Sequence, residues 1–480
     1  MTALQVLIVW FSVVGIFHGV KPVPDGVNYA SDVYAVADSS MELLTDLTFT
    51  DSTGETRHEQ EIWDSIFTYI DSAERYILLD MFLFNSYKGP ADWSLNELSA
   101  DLCQLLVDKV NDNPEIKIDF ITDPVNTLYG GIFHTELEMM SAAGINVIVT
   151  DLNKLRDSNP FYSPIWRTFI QWFGNSHKYG IFPNPYSSKH DPVTFRSYLA
   201  FLNLKANHRK VFVADHGQEM ISIVTSSNPH SASADFSNIG LIVRGDIWKD
   251  IYRTEAGVAS MSGSQLSGDF LLESSGDDQV SIEENSIQLI TERKIKEALI
   301  HHIDATRSGD SVKIAMFYLS NRQIIKTLLN ASDRGVSIRL LLDPNLHGFG
   351  LPHNGTPNQP VARELKRKSN GKISIRWYRT QGEQFHTKLS IINREDQPLI
   401  AILGSANLTR KNINGFNLET DVLLKLEPAS AMAQEIEAYF SNLWNNVDQE
   451  YTMDHDTLAP QSWMKTLLYR FQEGTGISTY

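Results

Sequence analysis

Cysteine is almost missing. Cys103 is the only one in 480 residues, so no intramolecular disulfide can form, and cysteine usage does not separate a reducing from an oxidising compartment. The scarcity also removes the thiolate pairs on which most structural zinc sites draw. Positive charge is short as well: 41 Lys and Arg against 58 Asp and Glu leave −17, which opposes a general attraction to polyanions such as DNA. Only Lys205, Arg209 and Lys210 cluster enough to leave room for a local basic pocket. Membrane-length apolar runs are missing with one exception. Ala3 to Val20 is apolar apart from Gln5, Ser12 and His18, and about 18 residues just span a bilayer core as a helix. No Lys or Arg precedes the run, Lys21 follows it, and no small-x-small cleavage site lies just beyond. We read residues 1–22 as an uncleaved membrane anchor, with a cleaved export signal as the competing reading and the orientation undecided.

What is present is duplication. Helical spacing at Ile62, Ile66 and Ile70 leads into a strand-like run, Tyr76 to Asn85. Ile295, Ala298, Leu299 and Ile303 lead in the same way into Val312 to Asn321. Each run is followed by a helix-like segment (98–110 and 322–334) and then a strand ending in Asp-Pro, at Asp123-Pro124 and Asp343-Pro344. A βαβ unit thus occurs twice. The stretch from Ser260 to Asp278, rich in Ser, Gly and Asp, separates the copies. The expected division is a first domain over 23–262, a linker over 263–278, a second domain over 279–450 and a tail over 451–480.

Later in each half comes the chemistry. His208-Arg209-Lys210 heads the apolar run Val211 to Ala214, and His386-Thr387-Lys388 heads Leu389 to Ile392. Residues i and i+2 of a strand share a face, so each motif sets an imidazole beside an ammonium. Asp215, a candidate catalytic carboxylate, or Asn393 follows, and then Ser226 and Asn228, or Ser405 and Asn407, with the serine two residues before the asparagine. Two histidines and two lysines around one anion suit a phosphodiester. The lysines neutralise the non-bridging oxygens, and Asn228, Asn407, Ser226 and Ser405 add neutral donors. One neutral imidazole attacks phosphorus while the other serves as acid and then base. His-x-Lys supplies one metal donor per motif, and the scheme requires no metal or other cofactor.

These motifs resemble those of the phospholipase D superfamily: His-x-Lys, four residues, Asp, then Gly-Ser-x-x-Asn. The resemblance runs from about residue 60 to 445. Tyr76 to Phe84 and Phe385 to Glu419 look most like the bacterial cardiolipin-synthase-like members. The resemblance implies an α/β fold of two similar domains, each a mixed β-sheet flanked by helices, related by a pseudo-two-fold with the site at their interface. It also implies a phosphohistidine intermediate, metal independence, His208 as nucleophile and His386 as acid/base. Three departures stand out: Thr225 in place of the motif glycine, Asn393 in place of the motif aspartate, and Gly240 twelve residues past Asn228, where the second copy has Glu419 past Asn407. A carboxylate at that place orients one catalytic imidazole in relatives, so Glu419 has a partner to hold and Gly240 leaves one histidine without its orienter.

The leading function is therefore a phospholipid phosphatidyltransferase or phospholipase D, passing the phosphatidyl group to an alcohol or to water. It would sit at a membrane, the bacterial inner membrane by resemblance, with no nucleic acid as partner. A nuclease of the same superfamily would need an extended basic channel. A tethered lipid-binding protein with a retired site is the third reading. Two further segments bear on lipid. The aromatic run Phe161 to Phe173, with Trp166, Phe169, Ile170 and Phe173 on one helical face, reads as a core-facing helix or as an interfacial element, and the tail carries Trp463, Met464, Leu467, Leu468 and Phe471. The loop His347 to Pro357 follows an Asp-Pro strand end, where α/β proteins place site loops.

Overall fold

The computed structural model describes residues 2–87, 97–186, 191–274, 285–348, 351–458 and 463–478. Two mixed sheets with flanking helices carry the fold, as the resemblance implied. In the first half the parallel strands Tyr76–Met81, Lys117–Thr122 and Asn146–Val149 continue into the antiparallel strands Lys210–His216, Glu219–Thr225, Asn238–Arg244 and Met41–Thr50. The second half repeats this order with Ser311–Met316, Ser337–Leu342 and Ile373–Tyr378, then Lys388–Asn393, Leu399–Gly404, Thr420–Leu426 and Ser286–Thr291. The central strand Tyr76–Met81 is buried along its whole length, as its largely apolar sequence requires when helices cover one face and the other half covers the other, and its one acid, Asp80, accepts from Asn207 Nδ2 at 2.8 Å.

One core cluster draws residues from both sheets, including Val211, Val213, Leu241, Leu389, Leu403 and Leu424, so the halves pack face to face. Tyr34–Ala35 adds a strand to the second sheet, against Ser286 and Ile287, and Thr452–Asp454 adds another at the opposite edge. Residues 264–272, read from composition as linker, pack on the first half: Leu266 and Leu271 are buried, and Ser267 donates to Asp119. Positions 275–278 of that expected linker lie outside the described residues, as do Phe349 and Gly350 of the site loop.

The helix Ala3–Val20 has no buried residue. It lies along the aromatic segment, where Trp10 donates to Thr168 at 3.0 Å and Phe11 meets Phe169 edge to face. That segment differs from the expected helical face. It winds as a short α-turn, Ser163–Ile165, followed by a π-turn, Trp166–Ile170. The wider turn breaks the 3.6-residue period, so Trp166 is buried while Phe169, Trp172 and Phe173 stand in solvent.

Candidate active site

His208 and His386 sit just before the strands Lys210–His216 and Lys388–Asn393, and both line one cavity of about 260 Å³ between the halves. The backbone sets them there reciprocally. His208 N–H donates to Leu418 C=O at 2.9 Å, and His386 N–H donates to Ser237 C=O at 2.8 Å. Each histidine is thus pinned by the opposite half. The Asp-Pro strand ends support the approach: Asp123 accepts from Asn207 N–H and Asp343 from Phe385 N–H, both at 2.7 Å.

The imidazoles are held at Nδ1 by unlike groups. His208 Nδ1 lies 2.9 Å from Glu419 Oε1 and 3.0 Å from Oε2. His386 Nδ1 lies 3.1 Å from Asn238 Oδ1. The expectation that Gly240 leaves one histidine without an orienter is therefore corrected. Strand register pairs Thr225 with Gly240 and Gly404 with Asp421, so the counterpart of Glu419 is Asn238. Twelve residues separate Asn407 from Glu419 but only ten separate Asn228 from Asn238, and the second copy spends its extra length on the turn Arg410–Ile413. The same register explains both glycine departures. Gly404 has φ of +154°, and a Cβ there would meet Thr420 O at 2.4 Å and Asp421 Oδ1 at 2.6 Å. In the first half the sizes are exchanged, with Thr225 facing Gly240.

Asn238 cannot turn over. Its Nδ2 donates to Asp46 Oδ2 at 3.3 Å and to Phe236 O at 3.0 Å, and the Phe236 carbonyl can never donate in return. Oδ1 must then face His386, whose Nδ1 carries the proton and whose Nε2 is left for the cavity.

Ser226 and Ser405 were expected to touch substrate, and this too is corrected. Ser226 Oγ donates to Asn238 Oδ1 at 3.1 Å, and Ser405 Oγ donates to Glu419 Oε2 at 2.5 Å. Both hydroxyls also accept the next strand's N–H, from Ile239 and Thr420. They are buried behind the orienting side chains, off the cavity wall. Asp215 is further away. Five residues along its strand from Lys210, about 16 Å, it accepts the N–H groups of Glu74, Arg75 and Tyr76. It caps the start of the central strand, and Asn393, bonded to Glu437, takes the matching place in the second half. The departure at 393 therefore lies far from the histidines.

Asn228 and Asn407 do line the cavity. Lys210 and Lys388 lie one layer beneath it. Each ammonium donates to the carbonyl of its own motif's histidine, at 2.6 and 2.7 Å, and rests over Phe82 or Phe317. Burial lowers Lys210 to about 7 and Lys388 well below its ordinary value. Burial and the two lysines likewise hold both imidazoles well below 6.5, while burial raises Glu419 to about 7.

The local basic pocket is not free. Arg209 is fully buried between Glu255 and Glu292, at 2.9 and 2.7 Å, and Lys205 is 2.6 Å from Asp157. The rest of the cavity wall is mostly aromatic and aliphatic, with Phe82, Tyr129, Tyr186, Phe201, Leu204 and Phe317. Sequence reasoning missed two residues of the neighbourhood, His230 on the wall and Asn412, which donates to Glu419; His353, also on the wall, belongs to the loop flagged by its place after the Asp-Pro strand end. Asn238 was also passed over, although its lone polar place at the head of an apolar strand was a signal.

The family described as cardiolipin synthase, PLD-like domain, matches residues 299–444. Among solved structures, phosphatidylserine synthase of Haemophilus influenzae Rd KW20 has a TM-score of 0.57 at 10% identity, over 93% of this chain and 95% of that one. Polyphosphate kinase from Porphyromonas gingivalis also matches (TM-score 0.44, 13% identity, 91% of this chain and 55% of that one). So does Nuc, a phospholipase D family member from Salmonella typhimurium (TM-score 0.28, 20% identity, 36% of this chain and 98% of that one). No curated protein matches the chain. At 10% identity the likeness to the synthase is one of fold.

Proposed function

We propose that this chain, a member of the phospholipase D superfamily, is a phosphatidyltransferase that cleaves a phospholipid phosphodiester through a phosphohistidine and passes the phosphatidyl group to an alcohol. The observation that carries the reading is the pair of imidazoles on one cavity, each fixed at Nδ1 by a side chain of the other half. A cavity wall dominated by aromatic and aliphatic side chains, whose Lys205 is already paired, favours a lipid over a nucleic acid.

Glu419 accepts the His208 Nδ1 proton and so leaves the Nε2 lone pair directed at phosphorus. The Nε2–P bond forms as the P–O bond to the leaving alkoxide breaks, and His386 Nε2–H protonates that alkoxide. His386 then takes the acceptor's O–H proton as the acceptor oxygen bonds phosphorus and the N–P bond breaks. Before substrate binds, burial and the two lysines hold both imidazoles neutral. A bound phosphodiester anion offsets those positive charges, so protonation of one imidazole accompanies substrate binding. Each ammonium spends one proton on a carbonyl and keeps two for the non-bridging oxygens. Asn228 and Asn407 add amide donors from the wall. The helix Ala3–Val20 holds the protein at the membrane where its substrate lies.

Purified protein in detergent, given labelled phosphatidylglycerol with and without glycerol, tests this. Cardiolipin is the expected product. Phosphatidic acid as the sole product would make the protein a hydrolase, and cleavage of DNA alone would overturn the substrate class.

A further inference from the structure

Away from the histidines, the surface near the end of the helix Ala3–Val20 gathers positive charge in a chain whose net charge is −17. Arg156 and Arg410 both set a guanidinium over the Phe416 ring, 5.0 and 4.6 Å from its centroid. Arg156 also donates to Gly19 O at 2.7 Å, at the foot of the apolar helix, and to Asn414 O at 3.2 Å. Lys296 donates to Asn414 Oδ1 at 2.7 Å, and Arg293 lies along Gly415. Among the described residues none of these four cations has a carboxylate within ion-pairing distance, and Glu297 on the same helix is taken by Lys294. Burial and neighbouring cations lower both Arg156 and Lys296. Such crowding is a standing electrostatic cost that an anion would relieve.

A cavity of about 290 Å³ opens beside the cluster, lined by Arg322, Arg410, Arg470, Asn321, Asn414 and Gln323. Arg322 and Arg470 reach Glu364 at 2.9 and 2.8 Å, so Arg410 is the lining cation without a carboxylate partner among the described residues. Its one acid, Glu473, is already occupied, accepting from Arg410 N–H at 2.8 Å and from Ser320 Oγ at 2.7 Å. Apolar surface flanks the cavity on two sides. The helix Trp463–Thr475 buries Tyr469 and Glu473 but turns Trp463, Leu467 and Phe471 to solvent. Its end, at Gly476, meets Ser158, whose carbonyl also accepts from Arg410. The neighbouring Asp157 N–H donates to His18 O of the N-terminal helix. The cations therefore lie between two exposed apolar helices, an arrangement that matches a bilayer surface in both charge and polarity.

We propose that this cavity and the cation cluster beside it together hold the phosphate of an anionic phospholipid in the bilayer surface, a binding site separate from the reacting cavity. It rests on the membrane placement above but not on the histidine chemistry. Cosedimentation of the full chain with phosphatidylcholine vesicles, with and without phosphatidylglycerol, tests it. The wild type is expected to bind the anionic vesicles more tightly, by a margin that shrinks with salt. R410Q is expected to lose about fivefold of that margin and R293Q/K296Q about 25-fold, at about fivefold per cation. Binding to phosphatidylcholine alone stays unchanged, as does turnover of detergent-dispersed lipid, which separates this site from the histidine mechanism. Arg293 is exposed, so R293Q alone serves should either variant fold poorly. Variants that bind phosphatidylglycerol vesicles as the wild type does would overturn the proposal. So would thermal stabilisation by inorganic phosphate equal to that by anionic vesicles.

Discussion

His208 faces a carboxylate and His386 faces an amide, in two sites otherwise built on one plan. Backbone pinning, the serine behind the orienter, the lysine on its aromatic ring and the strand register all repeat. Among the groups that hold the imidazoles, the difference is the charge of the orienter. A carboxylate against Nδ1 stabilises the imidazolium that a nucleophilic histidine approaches as it bonds phosphorus. An amide fixes the tautomer equally well without raising basicity, which suits a group that must give its proton away. On the proposed mechanism, duplication supplies the geometry and one diverged position the direction of the reaction. In the amide's half the carboxylate is one residue further off, at Asp46, which holds Asn238.

The largest contrast is expected between the two histidines themselves. His208→Ala should abolish the covalent intermediate. His386→Ala should lower turnover by about 10²–10⁴-fold yet still form phosphohistidine from a substrate whose leaving group needs no proton, such as a nitrophenyl phosphodiester. Acid-quench trapping of labelled enzyme checks both, and equal labelling of the two variants would erase the assigned roles. Next come the orienters. E419Q should cost about 10³-fold in kcat by disturbing the tautomer, and N238A less, about tenfold to a hundredfold. N238D should move the basic limb of the kcat profile upward, because a negative neighbour favours the imidazolium. An unmoved limb would separate Asn238 from the titrating histidine.

A smaller effect concerns stability. Burial holds Asp46 up at about 7 against an ordinary 3.8. The folded state therefore prefers the neutral acid: this group's contribution is complete below pH 4 and is lost as pH rises through 7. D46N should flatten that part of a Tm-against-pH curve, at a cost of about 1–3 kcal/mol from setting one amide N–H group against another. The least effect on activity is expected from D215N. Its loss of N–H acceptors at the central strand should lower Tm while kcat stays within about twofold, since the group is about 16 Å along the strand from Lys210.

Much of this molecule was legible before its fold. The Asp-Pro strand ends and both His-x-Lys pairs were found because neighbours in a strand obey a period of two, and because a second copy repeated the signal. The expected helices over 98–110 and 322–334 form at Leu98–Asp112 and Arg322–Asp333. Three assignments failed for one reason. Ser226, Ser405 and Asp215 were placed by motif membership, yet a side chain's partner depends on which strand lies beside it. Counting twelve residues past each asparagine reached Gly240 because a loop two residues shorter shifts the count without shifting the ladder. The charges of Lys205 and Arg209 were visible, but Asp157, Glu255 and Glu292, which pair with them, are remote in sequence.

By itself, the sequence determined the duplication, the α/β class, the four histidine and lysine residues and the apolar N-terminal helix, since each is written in local periodicity and composition. Only the tertiary structure decided that the orienters cross between halves, that His386 is held by Asn238, and that unpaired cations collect between two exposed apolar helices. Those contacts join residues tens to hundreds of positions apart. Their selection rests on strand register and on the packing of one sheet against the other, which no local pattern encodes.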